Sequence, residues 1–290
     1  MAQGAQADQP KVVGDFTVAR TLSSDIVGHR WLGLRDSQYW TVRQVDEQRV
    51  VVLDHARKLT PAVRHQQLVE YKSVFEDKHV GTCKVADSID RPRLSEAALI
   101  GLDLAAQLKV FVPIAKALQH LHDHDAVHGN LRPETIWVFG SGGRPQVIID
   151  DAGLLFRGHE DHARLAREVW PWLAPEVIKA SLENNADALR EAAGPGADCY
   201  SLAMMLTALV GRWPVFAGCR SAEEIIARKQ HDKVVFGLIA GANTIDVPGL
   251  QRLIRDATAP KVGERLASAA TFAARLNEVV DSQAAGGNDG

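Results

Sequence analysis

The sequence predicts an α+β fold in which a small β-rich lobe precedes a larger helical one. Between Asp15 and Asp54, apolar residues come in short runs rich in β-branched side chains, the pattern of strands. Beyond Leu94 they recur at helical spacing, and from Ala197 to Val210 the chain is almost wholly apolar, as a helix at the centre of a core must be. With 290 residues and 46% apolar content, the chain can bury a substantial core in one large domain or two lobes.

Residues 1–14 are polar and aperiodic and are expected to form an unstructured tail. The first lobe, 15–92, opens with strands at Phe16 to Arg20, Trp40 to Val45 and Arg49 to Leu53. Thr60-Pro61 reads as a helix start with proline at the first position, and the helix is expected to run to about Phe75. Cys83 to Ala86 returns to the sheet. In the second lobe, 93–280, Leu104 to His122 reads as a helix that Pro113 kinks. Gln146 to Asp150 is a short strand, Ala197 to Val210 the buried helix, and Gly249 to Asp256 and Ser268 to Val280 closing amphipathic helices. Residues 281–290 (DSQAAGGNDG) read as a flexible tail or linker.

Composition narrows the partners. Lys and Arg total 33 against 36 Asp and Glu, a net charge of −3 that favours neither nucleic acid nor an anionic membrane. The three cysteines, Cys83, Cys199 and Cys219, are scattered, which suits a reducing compartment better than a disulfide framework. No signal-peptide pattern opens the chain, and no apolar run reaches the ~18 residues that span a bilayer. The expected location is cytoplasmic, without membrane insertion.

Five short motifs follow one another. His128-Gly129-Asn130-Leu131-Arg132-Pro133-Glu134-Thr135 comes first, then Asp150-Asp151-Ala152-Gly153 after an apolar strand, then Trp172-Leu173-Ala174-Pro175-Glu176. Asp198-Cys199-Tyr200-Ser201 opens the buried helix and Gly211-Arg212-Trp213-Pro214-Val215-Phe216 follows it, with Arg265 near the end. In this order they resemble the motifs of eukaryotic-type (Hanks-type) protein kinases: the H-R-D-L-K-P-E-N catalytic loop, D-F-G, A-P-E and the later supports. The resemblance covers most of the chain and implies a bilobal kinase-like fold.

Within that resemblance, the retained residues are structural. His128 orients the loop, Gly153 ends the D-F-G-like motif, Asp198 caps the loop backbone, and Glu176 with Arg265 resembles a buried ion pair. The departures are chemical. Asn130 stands where the family's Asp accepts the substrate proton, and a neutral amide has no carboxylate for that task. Thr135 replaces an Asn that holds magnesium, leaving Asp151 as the one metal ligand. Gly129 replaces the Arg that reads a phosphorylated activation loop. Between Asp151 and Glu176 there is no Ser, Thr or Tyr to phosphorylate.

The phosphate-covering loop corresponds to 22–30, where Gly28 alone survives and Asp25 sets a negative charge where phosphates would lie. Arg43 takes the place of the strand lysine, and its helix-borne partner is expected to be Glu70. The stretch from Lys84 to His128 leaves little room for an adenine-contacting hinge.

Two features invite other readings. His120, His122, His124 and His128 lie close enough for a zinc site, but capping of a helix C-terminus is the favoured interpretation. Trp170 is a candidate interface aromatic beside the A-P-E-like motif. The resemblance, with HGN in place of HRD as in Janus-kinase pseudokinase domains and some plant receptor kinase-like domains, implies a pseudokinase. It would act on protein partners as scaffold or regulator, with no cofactor and no metal. The alternatives are a nucleotide-binding sensor and a weak, unconventional serine/threonine phosphotransferase.

Overall fold

The computed structural model describes residues 12–89, 91–140, 145–158, 162–211, 216, 218–231, 246–266 and 268–281. The chain forms two compact units, Met1–Val50 with Glu70–Asp90 and Val51–Val69 with Arg91–Gly290.

The first unit is an antiparallel sheet. Its strands are β1 (Val12–Val13), β2 (Phe16–Asp25), β3 (Gly28–Arg35) and β4 (Gln38–Gln44). After β5 (Val50–Val52) has led away, β6 (Tyr71–Asp77) and β7 (Gly81–Asp87) complete the sheet in the order β1-β2-β3-β4-β7-β6. Trp31, Val42 and Val85 are register partners across β3, β4 and β7. Because alternate residues share a face, these three pack with Val13, Phe16 and Cys83 into one cluster. Asp36 and Ser37 join β3 to β4 with φ of 51° and 63°, the paired left-handed residues of a twist-matched two-residue hairpin turn.

Two expectations for this region are corrected. Val12 and Val13, assigned to the tail, pair with Thr17 and Phe16, and the side chain of Val13 is buried. The helix expected from Thr60 to Phe75 does not form. Pro61–Val63 is a single 3-10 turn, Leu68 and Val69 run extended, and Tyr71–Asp77 is a strand. The proline start signal was honoured for one turn; pairing with β7, invisible to local pattern, took the rest.

The second unit is mostly helical. It takes in α1 (Asp54–Arg57), α2 (Glu96–Leu99), α3 (Leu104–Lys109) and α4 (Phe111–His122). The hairpin of β8 (Ile136–Phe139) and β9 (Gln146–Ile149) follows, then β10 (Leu154–Phe156), which is sheet partner to β5. Helices α5 (His162–Glu168), α6 (Pro175–Leu182), α7 (Ala186–Ala192), α8 (Pro195–Leu209), α9 (Ala222–His231), α10 (Val247–Ala257) and α11 (Ala269–Asp281) complete it.

Helix α8 is buried along almost its whole length, packed among the inward faces of α4, α10 and α11. On α4 that face is Phe111, Ile114, Ala115, Leu118 and Leu121. Each fully buried Leu there contributes roughly 2 kcal/mol of transfer free energy. Pro113 falls in the first turn of α4, where backbone N–H groups have no intrahelical partner, so the chain breaks before it into α3 and α4. Residues 212–215 of the motif after α8, and 282–290, lie outside the described residues.

Candidate functional site

The loop His128–Thr135 is held by a carboxylate beneath it. Asp198, in the first turn of α8, accepts hydrogen bonds from the backbone N–H of His128 (2.8 Å) and of Gly129 (2.9 Å). The His122 ring lies 3.0 Å from the same carboxylate. Burial raises the Asp198 pKa, but the hydrogen bond and charge of His122 outweigh it and hold the group below its ordinary value. The His128 ring is fully buried, 3.0 Å from the Asp150 carbonyl, and burial lowers its pKa.

Asn130 is buried to 0% exposure. Its Oδ1 accepts from Arg132 Nε at 3.0 Å, its own N–H donates to His128 Nδ1 at 3.2 Å, and its Nδ2 has no partner among the described residues. Thr135 is also committed: its hydroxyl donates to the Arg132 carbonyl (2.8 Å) and accepts from the Arg132 N–H (3.3 Å). Arg132 thus ties both altered positions together. Sequence reading passed over it, since the burial of Arg132 shows only in the folded chain.

Asp151 sits at φ 58°, a left-handed conformation that aspartate tolerates better than most residues, and Gly153 follows at φ 78°. Asp150 turns back on its neighbour, accepting from the Asp151 N–H at 2.7 Å. Gly153 donates to the His128 carbonyl and accepts from the Leu53 N–H, both at 2.8 Å. A Cβ at Gly153 would lie 2.6 Å from His55 Nε2 and 2.7 Å from Ala56 Cβ, so only glycine fits.

Past β10 the chain carries α5 and reaches α6. Trp170 is fully buried there, against His162. The expectation of an exposed interface aromatic is therefore wrong: local pattern carried no sign that α5 would cover this ring. The Glu176 carboxylate makes a bidentate pair with Arg265, at 2.5 and 3.1 Å, and the guanidinium lies 5.0 Å over Tyr200. Lys229 of α9 is completely buried. Its amine donates to the Pro171 carbonyl (2.9 Å) between the rings of Tyr200 (4.7 Å) and Phe216 (4.6 Å). Sequence reading missed it, since a lysine in a polar-looking helix reads as surface.

In the first unit, β2 turns into β3 through Ile26 and Val27, both buried. Asp25 closes the turn by accepting from the N–H of Val27 (3.0 Å) and Gly28 (3.3 Å). Arg43, at 0% exposure, donates from one nitrogen to both Asp25 oxygens (2.9 and 3.1 Å) and from another to the Gly28 carbonyl (3.0 Å). The expected partner of Arg43, Glu70, is instead exposed at the edge of β6, 2.6 Å from Lys72. It stands on no helix, for the reason given above.

The histidines separate. His122 serves Asp198, while His120 lies between the rings of His65 (4.7 Å) and His124 (4.5 Å), and His124 bonds the His120 carbonyl. Among the described residues no three His, Cys, Asp or Glu side chains converge on a metal site. All three cysteines are free and buried, and among the described residues no helix is long and apolar enough to cross a membrane.

Comparison with known proteins places this geometry. A family model for protein tyrosine and serine/threonine kinases matches residues 41–207. Serine/threonine-protein kinase shk2 of Schizosaccharomyces pombe is 22% identical over 206 residues, 66% of this chain and 31% of that protein. Ribosomal protein S6 kinase alpha-1 of Mus musculus is 26% identical over 173 residues, 57% of this chain and 22% of that one. The chain thus spans less than a third of these relatives. The crystal structure of the Mycobacterium tuberculosis PknI kinase domain superposes with a TM-score of 0.58 at 17% identity, covering 92% of this chain and 97% of that one.

Proposed function

The chain belongs to the protein tyrosine and serine/threonine kinase family, and we propose that it is a member without phosphotransfer chemistry, a pseudokinase that acts by binding protein partners as scaffold or allosteric regulator. The observation that carries this reading is Asn130. At the position of the family's proton acceptor it offers a neutral amide, fully buried, with its oxygen already taken by Arg132. Such a group neither accepts the proton of an incoming hydroxyl nor meets one.

Two further commitments point the same way. The Arg43 guanidinium is neutralised by Asp25 and bonded to Gly28, and so is not free to bind phosphate. The Thr135 hydroxyl is turned onto the Arg132 carbonyl, which leaves Asp151 as a lone magnesium-type ligand. The reading implies no productive binding of ATP with magnesium, a cytoplasmic setting and no nucleic-acid partner.

The alternative, a weak serine/threonine phosphotransferase or a nucleotide sensor, draws on Asp151 and on relatives named as kinases. Titrating ATP with and without magnesium while following thermal unfolding separates these readings. No shift is expected; a shift of several degrees without transfer supports the sensor. Transfer of labelled γ-phosphate that Asp151→Ala abolishes would overturn the pseudokinase reading.

A further inference from the structure

Gly129 has φ 69°, and a Cβ built on it would overlap Leu155 Cδ2. Leu155 is fully buried in β10, at the start of the segment that runs from Asp151 to Glu176. An ordinary core leucine packs among side chains that could be exchanged for one another. This one fills a notch that exists only because position 129 has no side chain.

Two more contacts fix the same segment. The Gly158 N–H donates to the Ser181 carbonyl at 2.8 Å, and a Cβ at 158 would come within 2.9 Å of Ser181 backbone atoms. Farther on, Lys229 holds the Pro171 carbonyl from inside its aromatic cage. The segment has no hydroxyl side chain at all.

We propose that the described parts of this segment, 155–158 and 162–176, are latched in one shape without any phosphate. Leu155 in the Gly129 notch is the primary latch and Lys229 under Pro171 the second. A side chain at 129, such as an arginine that would read a phosphate, would have to displace the segment's own leucine and would be strained at φ 69°. The surface that these described parts present is then held without phosphorylation of the segment itself. The inference rests on the kinase-family reading, but not on the absence of phosphotransfer.

The test is a double-mutant cycle read by amide hydrogen exchange and thermal unfolding on the whole chain. Gly129→Ala is expected to speed exchange at amides 155–158, 169, 170, 172 and 173 at least tenfold. Leu155→Ala makes room for the new methyl, so the double variant is expected to lose less than the sum of the singles. Additive losses would show that Gly129→Ala acts through backbone strain alone and overturn the latch. If Gly129→Ala does not fold, Leu155→Val and Lys229→Met give the same reading. Faster exchange at amides 155–158, and at 169, 170, 172 and 173, respectively supports the latch, and exchange unchanged from the parent overturns it. A phosphotransfer assay on the parent protein reports on the pseudokinase reading alone, so either can fail without the other.

Discussion

Arg43 and Asp25 form a buried pair: a guanidinium at 0% exposure, two bonds of 2.9 and 3.1 Å, and a carboxylate that also caps the turn at Val27 and Gly28. Removing one partner of a buried pair costs about 3–5 kcal/mol where the other's charge is left uncompensated. Asp25→Ala removes the two bonds to Arg43 and the turn cap together, and is expected to lose about 3 kcal/mol in urea unfolding. Asp25→Ala with Arg43→Met should recover part of that loss, since the guanidinium is gone with its carboxylate. A single variant costing under ~1 kcal/mol would mean that other groups carry the Arg43 charge.

Trp170 belongs to the core. Truncating a buried tryptophan costs about 3–5 kcal/mol through lost burial and the cavity left behind. Trp170→Ala is expected to fall in that range by chemical denaturation. A surface interface residue would leave stability within ~0.5 kcal/mol, so the measurement separates the two roles.

Much of this fold was legible because its signals are local. The wholly apolar run behind α8 admits one reading, and β4 and β7 announce themselves by β-branched residues. The break at Val110 was half legible: Pro113 marked a disturbance, but the chain resolved it by starting a new helix two residues earlier, at Phe111. Residues 60–75 were misread because a Thr-Pro start outweighs strand propensity until β7 supplies hydrogen bonds from elsewhere in the chain. At the site, residue types were legible and commitments were not. Nothing in the order of residues says that Asn130 is clasped by Arg132, that Arg43 meets Asp25 rather than Glu70, or that Lys229 is buried.

Stability should fall on mild acidification. The buried His128 and the partly buried His65 both have pKa values lowered first by burial. The folded state therefore binds these protons less tightly than the unfolded chain, whose histidines titrate near 6.5. The full contribution is present above about pH 6.5 and is lost as pH falls below it, with a slope of at most ~1.4 kcal/mol per pH unit for each proton. Unfolding midpoints measured from pH 8 to 5 should drop more steeply below 6.5 than above it, where the buried Lys229 amine, its pKa lowered by burial, adds its own slope. His65→Gln should flatten part of the drop. A profile level down to pH 5 would contradict both assignments.

Repairing the catalytic loop should not restore catalysis. Asn130→Asp with Thr135→Asn returns the family's residues at both positions. A general base restored to an otherwise intact site is worth about 100- to 10,000-fold in rate. Here the new carboxylate lies where Arg132 Nε already reaches, 3.0 Å from the atom it replaces, in a position closed to solvent. Arg43 stays engaged with Asp25. Transfer of labelled phosphate to a generic protein substrate is expected to stay within about tenfold of the parent background, far below what a base alone supplies. A rise of a hundredfold or more would mean that the nucleotide site is intact and that Asn130 and Thr135 were the whole defect. The Arg43–Asp25 pair would then have to open when nucleotide binds.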